Sequence, residues 1–554
     1  MLLDRYLPRM EFDSYEDFKE NYKINVPEDF NFGFDIIDEW AKREPEKMAL
    51  VWCDDHGGEE KFTFTDISRL SNRAANFFES LGIKKGDVVM LILRRRWEYW
   101  VCAVALHKIG AVLIPGSLQL TKKDIVYRAN AAKISAIVCV NDEFVLTQVE
   151  QAQPETPSLR HKILVVEERE GWLDFEEEIA KFPDTYERPV GEKATKWDDL
   201  MLVYFTSGTT GMPKMVMHNF AHPLGHITTA KYWHQVQENK LHMSVSDSGW
   251  AKFGWGKFYG QWICGAVIFA YDMDKFVPLK LLEMITKYQV TTFCAPTTMF
   301  RFMLQEDVGR FDLSCIKHCC LAGEPLNPEV FRKWEELTGL KICEGFGQSE
   351  STVMLANFQW FDPVPGSMGK PSPLYDVQLI DDEGNICEDG DEGRIVIRDV
   401  KNNPPVGLFV GYYQDEKLTE ESLGGAYYDT GDVAWRDSNG YYWFVGRSDD
   451  VIKCSGYRVG PFEVESALVE HPAVVECAIT AAPDPIRGNV VKATIVLAKG
   501  YEGTDELKKE LQNHVKRVTA PYKYPRIIEF VDELPKTLGG KIKRAEIRKK
   551  NHEE

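Results

Sequence analysis

What this chain lacks narrows it first. No uninterrupted apolar run is long enough to cross a membrane: the most apolar stretch, VCAVALHKIGAVLIPG (residues 101–116), is broken by His107 and Lys108. It falls short of the about 20 residues that a spanning helix needs. The opening MLLDRYLPRMEFDSYEDF has no apolar signal core, which predicts a cytoplasmic protein. No block of lysine and arginine offsets an acidic excess, 86 acidic against 66 basic residues and a formal charge of −20. Such a field repels nucleic acid and anionic membranes, so any anionic ligand has to be held by a few placed cations. Paired cysteine spacing is missing too, and the 12 cysteines read as reduced thiols. The densest group, CIKHCCLAGE with Cys315, His318, Cys319 and Cys320, has no second cluster to complete a zinc site and reads as a buried strand turning at Gly323.

What is present is rhythm. Between residues 49 and 115 short apolar runs (MALVWCD, DVVMLIL, AVLIPG) alternate with amphipathic segments such as SRLSNRAANFFESLG. The same alternation returns in SAIVCV, in KLLEMITKYQVTTFCAP and in IKHCCLAG before NPEVFRKWEELTG. Strand and helix periods in alternation predict α/β units with largely parallel, doubly wound sheets, more than one of them. After residue 363 the text changes to DVQLIDDEGNICEDGDEGRIVIR and YYDTGDVAWRDSNGYYWFVGR, short strands joined by turn signals. These predict an antiparallel, barrel-like β subdomain over 363–448. A further change at RSDDVIKCSGYRVG sets a boundary near Asp449, leaving 1–448 as a large domain and 449–554 as a small α/β domain.

One loop asks for an anion. YFTSGTTGMPKMVMH (residues 204–218) crowds small and hydroxyl residues before Lys214, so backbone N–H groups, hydroxyls and an ammonium can converge on phosphate. A Walker loop needs Gly-Lys-Ser/Thr opening a helix, but here Gly211-Met212-Pro213-Lys214-Met215 places the lysine late and methionine where the hydroxyl should stand. That disfavours a P-loop kinase or GTPase.

TSGTTGMPK resembles the signature loop of the AMP-forming adenylate synthetases, the superfamily of acyl-CoA synthetases, luciferases and peptide-synthetase adenylation domains. Four further motifs follow in that family's order and spacing. The resemblance implies that Thr206, Ser207, Gly208, Thr209, Thr210, Gly211 and Lys214 hold the ATP phosphates. AGEPLNPEV, with Gly323, Glu324 and Pro325, resembles the segment lining adenine. EGFGQSEST, with Glu344, Gly345, Phe346, Gly347, Gln348 and Ser349, resembles the segment that stacks on adenine and ends in the magnesium glutamate, Glu350, with Thr209 as the hydroxyl partner. A carboxylate is the donor a hard cation wants. YYDTGDVAWRDSNGYYWFVGRSDD resembles the run whose aspartate and arginine hold the ribose diol, here Asp432 and Arg447, with Asp449 at the hinge position. LPKTLGGKIKR resembles the loop of the catalytic lysine, which falls on Lys541.

The resemblance is closer to medium-chain acyl-CoA synthetases. It implies Mg2+ with ATP and coenzyme A as cosubstrate, with Arg458 beside the nucleotide and Ser455, Gly456 and Tyr457 of KCSGYRVG lining the pantetheine passage. DPIRGNVVKA (Arg487), TAPYKYPR with Lys516 and Tyr524, and PGSLQL (Gln119) resemble coenzyme A contacts. SDSGWAKFGWGKFYGQW supplies Trp250, Lys252 and Trp255 as acyl-pocket walls. Gly347 stands where similar acetyl-CoA synthetases carry a pocket-blocking tryptophan, so an open floor and a longer acid are expected. Each buried methylene then gains about 0.8 kcal/mol.

The expected reaction is carboxylate attack on the α-phosphorus of ATP, giving acyl-AMP and pyrophosphate, then transfer to the coenzyme A thiol after the small domain rotates about Asp449. Alternatives are an acetyl- or propionyl-CoA synthetase, an enzyme loading a carrier-protein thiol, and a retired nucleotide sensor. The last would show damaged motifs, yet Lys541, Glu350, Asp432 and Arg447 are all in place. A homodimer and acetylation of Lys541 are further expectations to be tested.

Overall fold

The computed structural model describes residues 2–206, 212–454, 457–485, 487–536 and 541–553. Of the residues singled out above, Ser207, Gly208, Thr209, Thr210, Gly211, Ser455 and Gly456 lie outside the described residues.

Two large sheets form the body. In the first, the parallel strands Val112–Pro115, Val88–Ile92, Ala136–Val140 and His161–Val165 are extended by Leu200–Thr206 and then by the antiparallel Lys214–Asn219. In the second, Ile342–Phe346, His318–Ala322, Thr292–Ala295, Leu241–Ser244, Val267–Asp272 and Met48–Asp54 run parallel, with antiparallel pairs only at the edges. Runs of four to six residues such as VLIP, AIVCV and VIFAYD are buried at every position, as a strand covered on both faces requires. The helix Glu98–Ile109 is also buried at every residue, Glu98, His107 and Lys108 included. An apolar helix without a polar face belongs inside a large core rather than at its surface. Its charged members are matched there: Lys108 Nζ donates to Asp38 at 2.7 Å and to Asn72 at 2.6 Å.

The antiparallel segment folds as four strands in the order Val377–Ile380, Glu392–Arg398, Tyr427–Arg436 and Tyr442–Arg447. It is an open sheet; among the described residues no pairing closes it, so the barrel-like expectation is corrected to a twisted open layer. The turns DDEGN and DSNGY make hairpins of neighbouring strands, and nothing in the sequence forces the two edge strands to meet.

The remaining chain builds a smaller α/β unit. Strands Val474–Asp484 and Gly488–Leu497 pair antiparallel, Ile527–Phe530 joins in parallel, and helices Pro461–Val469 and Asp505–Val518 cover them. Its core, with Val464, Leu468, Ile479, Val491, Ile495 and Leu511, is separate from the cores of the body. In open parallel sheets ligands collect outside the carboxyl ends of the strands. Here the AGEPLNPEV and EGFGQSEST segments leave His318–Ala322 and Ile342–Phe346 at that edge.

Candidate active site

Three carriers bring the site together: the carboxyl edge of the nine-stranded sheet, the last two strands of the antiparallel sheet, and the segment holding Lys541. Gln348 joins the first two. Its Nε2 donates to Asp432 Oδ2 at 2.6 Å and to the Thr430 carbonyl at 2.8 Å, while Tyr428 Oη donates to its Oε1 at 2.9 Å. Asp432 and Arg447 are register partners on adjacent strands, with Arg447 Nη1 3.4 Å from Asp432 Oδ1 and 3.2 Å from the Thr430 carbonyl it donates to. Gly431, directly before Asp432 in its strand, has φ +72°, and a Cβ there would stand 2.9 Å from the Arg447 guanidinium, so the position demands glycine. Burial pushes the Asp432 carboxyl up to about 6, against the pull of Arg447, of the Gln348 hydrogen bond and of Lys541.

Lys541 acts on a second group as well. Lys252, on the helix Ala251–Lys257, donates to the Ala322 carbonyl at 2.8 Å. Burial lowers its ammonium pKa, and the positive charge of Lys541 lowers it further. One lysine from the C-terminal unit is thus felt both by the Asp432 carboxylate and by the Lys252 ammonium.

Glu350 sits in the same field. Tyr412 Oη donates to Glu350 Oε1 at 3.2 Å, and Lys214 Nζ lies 5.2 Å from the centre of the Tyr412 ring. Burial raises the Glu350 carboxyl, and its hydrogen bonds, Lys214 and Arg447 oppose that rise. The carboxylate offers a hard oxygen donor. Among the described residues no group of three His, Cys, Asp or Glu could hold a metal by itself.

The adenine-like segment is held from beneath. Glu344 is buried and its Oε2 accepts from the Leu326 N–H at 3.1 Å; burial pushes its carboxyl up to about 8. Glu324 Oε2 accepts from the N–H and hydroxyl of Thr298 at 3.0 and 2.8 Å, and Thr297 Oγ1 donates to the Pro325 carbonyl at 2.8 Å. Both glutamates therefore point into the protein and shape the Gly323–Pro325 turn.

The acyl-pocket expectation changes in detail. Trp250 is half-buried and Trp255 is buried. A Cβ on Gly347 would meet the Trp255 ring at 2.2 Å and the Thr352 carbonyl oxygen at 2.7 Å. The space beside Gly347 is thus filled by the indole of Trp255, one of the residues expected to wall the pocket. The coenzyme A candidates are more dispersed. Tyr457 stacks on Tyr522 at 4.2 Å, Lys516 Nζ lies 4.0 Å over the Tyr524 ring, and Arg487 faces Asp484 at 3.9 Å. Gln119 is exposed beyond the strand Val112–Pro115. Arg458 pairs with Asp382 of the antiparallel sheet, and Asp449 faces Arg447 at 3.9 Å and Arg548 at 3.8 Å.

Tyr412, Tyr428 and a column of buried histidines were not singled out from the sequence. His218 Nε2 donates to the Ser349 carbonyl at 2.7 Å, its ring stacks on His222 at 3.8 Å, and the His222 and His226 Nε2 atoms are 3.1 Å apart. The four-residue spacing in HNFAHPLGH was the available signal.

An α/β body whose strand ends present a paired aspartate and arginine and a carboxylate near a lysine, followed by a smaller α/β unit, has the architecture of a nucleotide-activating ligase. Comparisons with known proteins agree: residues 37–413 match the AMP-binding enzyme model and residues 463–541 the AMP-binding enzyme C-terminal domain. The chain belongs to the AMP-binding enzymes and, among them, to the acyl-coenzyme A synthetases. The mitochondrial acyl-coenzyme A synthetase ACSM3 of Mus musculus is 42% identical over 97% of this chain and 93% of its own length. Mitochondrial ACSM4 of Homo sapiens is 43% identical over 94% of this chain and 91% of its own. Among solved structures, the anthranilate CoA ligase AuaEII in complex with anthranoyl-AMP superposes with a TM-score of 0.86 at 28% identity, covering 95% of this chain and 98% of that one. A benzoate CoA ligase from Burkholderia xenovorans LB400 gives 0.80 at 26% identity, covering 94% and 100%. These relatives also overturn the cytoplasmic expectation: ACSM3 and ACSM4 are described as mitochondrial, a property that net charge and the missing apolar run do not report.

Proposed function

We propose that the protein couples ATP cleavage to thioester formation: a carboxylic acid becomes acyl-AMP with release of pyrophosphate, and coenzyme A then displaces AMP. The observation that carries this reading is the buried Asp432 held between Arg447 and Gln348 beside the strand ends, with Lys541 of the smaller unit contributing positive charge there. In this reading Lys541 would serve the α-phosphate of a nucleotide held by Asp432 and Arg447.

In the first step the substrate carboxylate oxygen bonds to the α-phosphorus and the bond to the β-phosphate oxygen breaks. The loop 206–214 would hold the departing pyrophosphate, Lys541 would neutralise charge at the α-phosphate, and Glu350 with Thr209 would hold Mg2+ on the phosphates. Positioning and charge stabilisation carry such a reaction, since the protein forms no covalent bond. In the second step the thiol sulfur bonds to the acyl carbon, the acyl–phosphate oxygen bond breaks, and the thiol proton passes to solvent. Rotation of the unit after the hinge at Asp449 would withdraw Lys541 and present Lys453–Gly460.

The acid we propose is short to medium in length, branched and aromatic forms included. Trp255 over Gly347 shortens the straight path and favours compact acyl groups, while apolar walls still reward added methylenes. The test is AMP release with ATP, magnesium and coenzyme A over acids from acetate to decanoate, with 2-methylbutyrate and benzoate. Lys541→Ala should lose about 100-fold or more in acyl-AMP formation while still making thioester from supplied acyl-AMP. Turnover of palmitate alone, or equal loss of both half-reactions in Lys541→Ala, would overturn the reading.

A further inference from the structure

The smaller unit meets the antiparallel sheet along a seam of opposite charge that the proposed chemistry does not use. Arg458, on the strand Tyr457–Val459, pairs with Asp382 in the turn after Val377–Ile380. Beside it, Lys523 binds both oxygens of Glu463, at 2.5 and 2.6 Å. Glu392, at the start of its strand, feels the positive charges of Lys523 and Arg458 and the negative charge of Glu463. Its Oε2 is buried without a hydrogen-bond partner. Asp381, Asp391 and Glu388 line the same cleft. Farther along the contact, Asn327 Nδ2 donates to the Ser466 carbonyl at 3.2 Å, next to the adenine-like segment.

We infer that Asp382 is a positioning residue for the first half-reaction, holding Arg458 in an ion pair that orients the smaller unit against the body, with Glu392 lining the same cleft. The inference rests on the proposed two-step function. Arg458 adjoins the KCSGYRVG segment that the second step would bring inward. The Arg458–Asp382 pair joins the two units, so the seam has to open before the smaller unit turns. The Arg458–Asp382 pair is exposed enough to be screened, which makes a contact strong enough to bias an orientation and weak enough to release each turnover.

The test uses the full chain and Asp382→Asn, an exposed position whose change leaves the cores untouched, alone and with Glu392→Gln. Single-turnover acyl-AMP formation should slow about two- to fivefold in Asp382→Asn, the worth of one exposed ion pair, and further in the double variant. Thioester formation from supplied acyl-AMP should hold or quicken, and salt of about 0.5 M should bring the unmodified enzyme toward the variants. Equal slowing of both half-reactions, or of neither, overturns the inference. A second measurement stands apart from activity: labels on Val190→Cys and Tyr501→Cys report the distance between the two units. The Asp382→Asn change should populate a second distance, and an unaltered distribution also overturns the inference. Failure of every acid to form acyl-AMP in the unmodified enzyme would instead strike the proposed function, with the distance arm still deciding whether the seam sets orientation.

Discussion

Asp432 and Arg447 face each other across one register of an antiparallel pair, and the carboxylate of the first is bound on its other side by Gln348. Strand pairing, not loop closure, therefore fixes the distance between the two groups proposed to hold the ribose. Because burial raises the Asp432 carboxyl to about 6, its protonated form is favoured in the folded protein. The stability this contributes is full below the ordinary carboxylate range and is lost as pH rises through 6. Nucleotide binding should run the other way, since a ribose diol donates best to the charged form. AMP affinity of the free enzyme, measured by calorimetry, is expected to rise between pH 5 and 7 with a midpoint near 6. Asp432→Asn should be pH-independent there and about tenfold or more weaker, the loss of a hydrogen bond to a charged group. A flat profile in the unmodified enzyme would sink this assignment.

Gly347 has no room for a methyl group. A Cβ at 2.2 Å from the Trp255 ring and 2.7 Å from the Thr352 carbonyl must displace an indole or a backbone. Gly347→Ala is expected to destabilise the protein by about 1–3 kcal/mol and to shrink the range of accepted acids. Adding Trp255→Phe should restore part of both. Thermal unfolding and relative kcat/KM from butyrate to octanoate check this. An alanine variant as stable as its parent, with unchanged acid preference, would show that the tryptophan moves freely.

Buried histidines should make the protein acid-labile. Burial lowers His218 and His318 to about 4, His107, His226 and His242 to about 3, and His222 and His234 well below the ordinary range. For a base whose folded pKa is depressed, the stability is present above the unfolded value near 6.5 and is lost as pH falls toward the folded one. Each such histidine contributes a slope on the order of 1 kcal/mol per pH unit in that window. Tm is therefore expected to fall steeply between pH 6.5 and 4. His218→Gln, which can still donate to the Ser349 carbonyl, should flatten part of that fall. An acid limb equal in both proteins would remove His218 from the account.

The strand–helix alternation was legible because a buried parallel strand has little choice but an apolar run, and both large sheets formed where those runs lie. The composition change after residue 363 located an antiparallel layer, but hairpin signals carry no information about whether edge strands join, and the layer stayed open. Asp432, Arg447, Gln348, Glu350 and Lys541 were readable from motifs; the structure joins Asp432 to Arg447 and Gln348, and the roles of all five are proposals. Glu344 and Glu324 were readable only as positions: nothing in EGFGQSEST says that the first carboxyl turns inward to Leu326. Trp255 over Gly347 and Tyr412 beside Glu350 depend on segments about 60 to 90 residues apart in the chain, a distance over which periodicity is silent. Mitochondrial residence of the relatives is an address, which packing physics does not encode.

Lys541 stands near the end of the described chain, while the groups it acts on, Asp432 and Lys252, belong to the body made earlier in synthesis. Chains fold from the N-terminal side as they emerge, so a nascent body can already shape a nucleotide cradle while the cation that would trigger chemistry is still unmade.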